Sequence, residues 1–435
     1  MIRIIDMRNG RDSGLFSKLV GRDRVGQIDV VRVVDEILAN IRSKGDEALL
    51  EYTKLFDRVE MEPSSMKVSD REIKEAYDLA DPEMIGVIRR AKENIIAFHE
   101  KQKQNSWFTT GNDGILLGQL YRPLEIVGIY VPGGTAVLTS SVLMNALPAK
   151  VAGVEKIIMV TPPGRDGKID PGVLVAAQEA GVSEIFKAGG AQAIAAMAFG
   201  TCSIPKVDKI FGPGNIYVST AKRLVFGYCD IDMFAGPSEI TVVADDSANP
   251  EYVAADLLSQ AEHDELSASI LVTPSEKLAQ AVCTEIEKQA AKLARKDILY
   301  KSLDGYGAAV IVNDLDEAMD VVNRIAPEHL ELCIEDPFSR LGYVKNAGAV
   351  FLGHWSPEPL GDYFAGPNHV LPTGGTARFF SPLNVDDYMK KSSVISYTRQ
   401  ALEKASGDVI RFAEYEGLEG HANAIRVRFV EKNGK

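Results

Sequence analysis

Histidine is scarce in this chain, six residues in 435, and four of the six stand in short runs of acids, amides and glycine. They are His263 in Ser-Gln-Ala-Glu-His-Asp, His329 in Ala-Pro-Glu-His-Leu-Glu, His369 closing Gly361–His369, and His421 in Glu-Gly-Leu-Glu-Gly-His. Imidazole moves protons near neutral pH and is the commonest metal ligand, so this confinement suits a site better than packing. His99 and His354 have ordinary surroundings. Cysteine is nearly as rare. Cys202, Cys229, Cys283 and Cys333 lie more than four residues apart, which excludes a thiolate zinc motif or a redox pair read from spacing. Reduced, mostly buried thiols are expected. Excess basic charge is lacking: 48 Lys and Arg against 61 Asp and Glu give −13, which argues against a nucleic-acid partner. No apolar run is long enough to span a bilayer. The first eleven residues alternate apolar and charged side chains without a signal-peptide core, so a cytoplasmic protein is expected. The G-x-G-x-x-G dinucleotide fingerprint is missing as well.

What is present has the texture of an α/β enzyme. Residues 1–25 read as a short arm. Val30, Val33, Val34, Ile37, Leu38 and Ile41 recur at helical spacing, and a second long helix is expected over Arg71–Gln102, adjusted at Asp81-Pro82. From Leu124 onward, short β-rich runs alternate with amphipathic segments, which implies βαβ units and a mainly parallel sheet. The alternation restarts near Ile240, and strands ending in Val-Thr-Pro at 160–162 and 272–274 hint faintly at two related halves; Thr-Pro turn chemistry alone gives the same pattern. Beyond residue 381, Val385–Lys391 and Tyr397–Gly417 read as helices and Ala422–Val430 as an extended run. A tail carrying a site histidine must fold back onto a site, in its own subunit or a partner's.

Asn249-Pro250 opens a helix whose far end carries Gln260 and His263, three apart and so on one face. An amide oxygen and an imidazole suit an open metal site, with Asp362 and His421 as further ligands. Manganese and magnesium suit these ligand types too, and a helix end capping itself gives the same pair. Glu328-His329 follows Pro327, which restricts Ala326 to extended conformations and ends the preceding helix. A neighbouring carboxylate and imidazole form a general-base pair, though an exposed Glu beside a capping His is the commoner outcome of such a dipeptide. Gly366-Pro367 prevents a single helix from Asp362 to His369 and leaves a glycine-rich loop of the functional kind. Glycine turns after Tyr130, before Gln192 and before Asn215 each precede a helix whose N-terminus can hold a phosphate.

Leu258–His263, Ala326–Leu330, Leu360–Tyr363 with Pro367–Thr373, and Glu416–His421 together resemble histidinol dehydrogenases over nearly the whole chain. The resemblance implies two incomplete Rossmann-like α/β domains with an N-terminal arm and a C-terminal tail, in an intertwined homodimer with shared sites. In that scheme 1–25 is the arm, 26–125 plus 235–380 the metal-bearing domain, 126–234 the NAD side, and 381–435 the tail crossing to the partner. It implies one zinc per subunit on Gln260, His263, Asp362 and His421, and NAD contacts at Tyr130, Gln192 and Asn215. Substrate contacts fall on Ser238, Glu328, His329, His369 and Glu416 as well as the zinc ligands. The implied reaction is the four-electron oxidation of L-histidinol through L-histidinal to L-histidine, with His329 as base and Glu328 activating water. A thiohemiacetal on Cys333 is the rival scheme for the second half, against which stands the expectation of a buried thiol.

Overall fold

The computed structural model describes residues 2–8, 14–20, 27–133, 138–233 and 236–430. In chain order the strands are β1 (Arg3–Asp6), β2 (Trp107–Thr110), β3 (Leu116–Pro123), β4 (Ile126–Tyr130), β5 (Lys156–Thr161), β6 (Glu184–Lys187) and β7 (Lys209–Phe211). They continue with β8 (Asp230–Ile231), β9 (Glu239–Ala244), β10 (Ala268–Thr273), β11 (Ala308–Ile311), β12 (His329–Cys333), β13 (Ala349–Leu352) and β14 (Met389–Ser396). The chain divides into a larger unit, Met1–Gln102 with Leu124–Tyr388, and a smaller one, Lys103–Pro123 with Met389–Lys435.

Two parallel sheets organise the larger unit. One runs β6-β5-β4-β7-β8, the other β1-β11-β10-β9-β12-β13. Both are buried on two faces, which is why strands such as Ile126–Tyr130 and Ala308–Ile311 read as unbroken apolar runs. In the five-stranded sheet the chain winds one way from β4 to β6 and the other from β7 to β8, the mononucleotide-binding order with its switch point between β4 and β7.

The helical opening region packs on this five-stranded sheet. Val34, Ile37, Leu38 and Ile41 from helix Gln27–Lys44 share a core with Ile158, Ile194 and Val218, and Ile88, Ala91 and Ile95 from helix Pro82–Glu100 join Val127, Met144 and Ile157. These stripes find their apolar partners on the five-stranded sheet, whereas the resemblance groups 26–125 with the metal-bearing domain. The opening segment is likewise more than an arm, since Arg3–Asp6 pairs with β11. The helical spacing that starts at Val30 gives helix Gln27–Lys44, a break at Gly45 (φ 58°), helix Asp46–Tyr52 and a closing π turn, Thr53–Asp57.

In the smaller unit β14, β3 and β2 form an antiparallel sheet, accompanied by helices Arg399–Tyr415 and Glu419–Arg426. Two expectations fail here. Val385–Lys391 is a single 3-10 turn, Val385–Tyr388, leading into β14, whose hydrogen bonds to β3 decide its conformation. Ala422–Val430 continues a helix to Arg426 rather than forming a strand.

Candidate active site

The first cluster forms at the amino ends of the six-stranded sheet. Helix Leu315–Ile325 stops at Ala326, which is left-handed (φ 55°, ψ 62°) rather than extended as Pro327 suggests. Its N–H closes onto Val322 O at 2.8 Å, and the reversal aims Glu328 and His329 straight into β12. An alanine in this conformation costs about 1–2 kcal/mol, which the buried turn must supply.

His329 is almost fully buried. Its Nδ1 lies 3.1 Å from the carbonyl of Glu239, which holds a proton on Nδ1 and makes Nε2 the position where the ring gains and loses its second proton. Nε2 has no hydrogen-bond partner and stands 3.6 Å from Asp362 Oδ1 and 3.8 Å from Glu358 Oε1. Burial disfavours charge on the ring, but Glu328, Asp362 and Glu358 outweigh it and raise His329 to about 10. Glu328 is held by the Glu239 N–H (2.8 Å to Oε2), and burial pushes it up to about 8 against the pull of His329. A carboxyl raised this far is a stronger base than an exposed one.

Asp362 enters on the short helix Glu358–Tyr363. Burial works against its charge, yet His329 and His369 overcome this and hold the carboxylate well below its ordinary range. His369 Nδ1 lies 2.9 Å from the Asp362 carbonyl, and burial lowers its basicity. Ser238, half-buried, immediately precedes β9 and Glu239.

Asn249 caps its helix by accepting the Glu251 N–H at 2.9 Å, and the helix runs from Pro250 to Ala261. Gln260 sits in the last turn, fully buried, and neither its Oε1 nor its Nε2 has a partner. His263 lies just past the helix end, not on it; its residue is exposed overall, yet partial desolvation of the ring lowers its basicity and the Asp362 charge opposes that effect. The neighbouring Ser259 donates to Glu358 Oε2 at 3.1 Å and so ties this helix end to the helix carrying Asp362.

An unsatisfied buried amide, an ionised aspartate and a neutral imidazole make a donor set that fits a divalent cation such as zinc. His421 and Glu416 belong to the smaller unit, where both are exposed.

Glu358 is the group that sequence reading missed. It is buried, its Oε1 has no partner, burial and Asp362 push it up to about 8, and with His329 and Asp362 it forms a compact trio. Its signal lay in its spacing, four residues before Asp362 and so on the same helical face. Behind it, Glu331 accepts the Glu358 N–H at 2.7 Å and, buried like Cys333, joins it and the half-buried Asp256 in a second trio. Burial and the Glu331 charge push the Cys333 thiol far up, which suits packing and not nucleophilic attack.

The second cluster lies at the carboxyl ends of the five-stranded sheet. The Tyr130 hydroxyl accepts the Gly190 N–H at 3.1 Å. Gln192 is buried with its Nε2 unpartnered. Asn215 accepts the Tyr217 and Val218 N–H groups and caps helix Ile216–Val225. At Gly212 (φ 109°) a Cβ would lie 2.0 Å from the Tyr130 carbonyl, so only glycine lets β7 turn so close to β4. Two helix N-termini and an unpartnered amide at a switch point fit a dinucleotide. The turn after Tyr130 is described as far as Gly133; Gly134 lies outside the described residues.

The profile of the histidinol dehydrogenase family matches residues 21–429. The histidinol dehydrogenase of Caldanaerobacter subterraneus subsp. tengcongensis is 56% identical over 429 residues, 99% of each chain. That of Heliobacterium mobile is 58% identical over 399 residues, 92% of this chain and 93% of its own. The crystal structure of histidinol dehydrogenase from Elizabethkingia anophelis superposes with a TM-score of 0.93 at 39% identity, covering 100% of both chains.

Proposed function

This chain belongs to the histidinol dehydrogenase family, and from that premise we propose how its residues oxidise L-histidinol through L-histidinal to L-histidine, the last steps of histidine biosynthesis. Four electrons leave one carbon in two steps. NAD supplies the hydride acceptor in each, held near Tyr130, Gln192 and Asn215. Zinc, when bound by Gln260, His263, Asp362 and a partner's His421, supplies a template for the imidazole and amino nitrogens of the substrate.

His329 Nε2 takes the hydroxyl proton as the first hydride leaves the carbinol carbon. The Nδ1 contact with Glu239 holds the ring in the tautomer this requires. Glu328 then removes a proton from water as it adds to the aldehyde carbon, and His329, having released its first proton to solvent, takes a hydroxyl proton of the hydrate as the second hydride departs. The Glu239 N–H keeps Glu328 aimed throughout. His369 and Ser238 orient the reacting end, and Glu416 pairs with the cationic end of the substrate. The free, deeply buried Nε2 of His329 among carboxylates carries this reading.

The exposed apolar surface of the smaller unit supports a homodimer with shared sites. Among its described residues the buried apolar side chains are only Ala401, Ala413 and Ala422, while Ile395, Phe412 and Tyr415 are 73, 70 and 92% exposed. A three-stranded sheet with so little core needs another surface, and a second copy of the chain supplies it.

Stoichiometry tests the chemistry: two NADH per histidinol consumed, lost on chelation and restored by zinc, is expected, and one NADH would reduce the protein to an alcohol dehydrogenase. Co-expressing Asp362→Ala and His421→Ala chains tests the sharing. Mixed dimers regain activity if the two ligands come from different subunits; inactivity in mixed dimers shown to have formed would place both in one subunit.

A further inference from the structure

We propose that Asp57 is the carboxylate that binds the adenosine ribose hydroxyls of the dinucleotide and thereby sets a preference for NAD over its 2′-phosphorylated form; this rests on the reading of NAD as cosubstrate. In a mononucleotide-binding sheet the ribose is held by an acid at the end of the second strand, which here is β5. That strand ends in Thr161-Pro162-Pro163 and offers no acid.

The acid comes from outside the sheet. The π turn Thr53–Asp57, followed by left-handed Arg58 (φ 60°), delivers Asp57 to the β5 end. There it lines a cavity of about 960 Å³ with Pro132, Gly133, Thr161 and Pro162. Gly189 permits the approach: a Cβ on it would lie 2.9 Å from Asp57 Oδ1 and 2.6 Å from Pro162 Cβ. The Asp57 carboxylate bears on the Gly189 N–H, and its Oδ2 is buried without a hydrogen-bond partner.

The other acids and bases of the cavity do not compete. Glu72 is bonded to Lys187 and to Ser69, and Glu75 is paired with Arg71. Asp166 accepts the Lys168 N–H and Asp170 the Gly172 N–H, and Arg165 and Lys168 are exposed. Vicinal hydroxyls satisfy Oδ2 with a charge-assisted hydrogen bond, whereas a 2′-phosphate would set two anions against each other.

The test is steady-state kinetics with NAD and with NADP for wild type, Asp57→Asn and Asp57→Ala, beside competition by ADP-ribose and its 2′-phosphate against NAD on the wild type. NAD preference in the wild type is expected, with KM for NAD raised roughly tenfold to a hundredfold in the variants, the range for one charge-assisted hydrogen bond, and kcat changed much less. The NAD-to-NADP ratio of kcat/KM should fall along with it. An unchanged KM and ratio in a variant that melts like wild type would overturn the assignment. So would equal inhibition of the wild type by the two ADP-ribose forms, a measurement that needs no variant. Failure of the wild type to reduce NAD at all would instead sink the cosubstrate reading.

Discussion

The two parallel sheets do their work at opposite edges. The five-stranded sheet uses its carboxyl edge, as open α/β sheets usually do. There helices Gly190–Phe199 and Ile216–Val225 begin, so their N-termini present positive partial charge, suited to a pyrophosphate. The six-stranded sheet uses its amino edge: His329 opens β12, Glu239 opens β9, and helix Pro250–Ala261 arrives with its C-terminal end. Partial charge at a helix C-terminus is negative, and the ionised Asp362 adds to it. The charge at one edge suits an anion and that at the other suits a cation. The sheets share a winding rule, and the dipole end each presents decides what it holds.

The strongest way to break this contrast is at the amino edge. His329→Asn should lower kcat by about 10³ in both half-reactions, in the range for removing a general base. Stopped-flow traces with histidinol and with histidinal separate the two; a wild-type rate in either would remove His329 as its base. Glu328→Gln should cost about 10² in histidinal oxidation and less in the first oxidation, so the aldehyde becomes measurable in solution. Equal losses in both halves would mean that Glu328 acts before water is needed.

Gln260→Leu sharpens the comparison by a change of sign. The amide has no partner in the apoprotein, so leucine should stabilise that form by about 1–3 kcal/mol in denaturant unfolding, while zinc retention and activity fall. A destabilised apoprotein, or unchanged zinc content by atomic absorption, would show that the amide is not waiting for a metal.

The smallest effect belongs to the five-stranded side. His99 is fully buried and burial lowers its pKa from 6.5, so the unfolded chain binds the proton more readily. Its contribution is present above about pH 6.5 and is lost as pH falls through the lowered value. His99→Gln should flatten the decline of Tm between pH 7 and 5, and an identical pH profile would show that His99 does not titrate there.

The alternation from Leu124 to Ile325 was legible because buried parallel strands are short apolar runs between turns, and their boundaries shifted by only a residue or so. β14 was not, because Met-Lys-Lys-Ser-Ser-Val-Ile-Ser carries no alternation and becomes a strand only by pairing with β3. The packing side of helices 27–100 was also hidden, since a stripe shows that a helix is covered without saying by which sheet. At the site, Glu328-His329 announced itself by adjacency. Glu358 and Asp57 did not, because what distinguishes them is a buried oxygen without a partner, and that exists only once the surroundings are assembled.

The segment that follows His369 has a bearing on modularity. Asn368 donates to the Met144 carbonyl at 2.6 Å, and Tyr388 stacks on Phe211 at 4.1 Å and donates to Asn145 O at 2.7 Å. Val370 and Leu383 are buried in the same core. A stretch that starts beside His369 is thus rooted in the layer around the five-stranded sheet. Anyone grafting a foreign dinucleotide layer onto this scaffold, or recombining two relatives at residue 234, would have to carry residues 368–388 along with it.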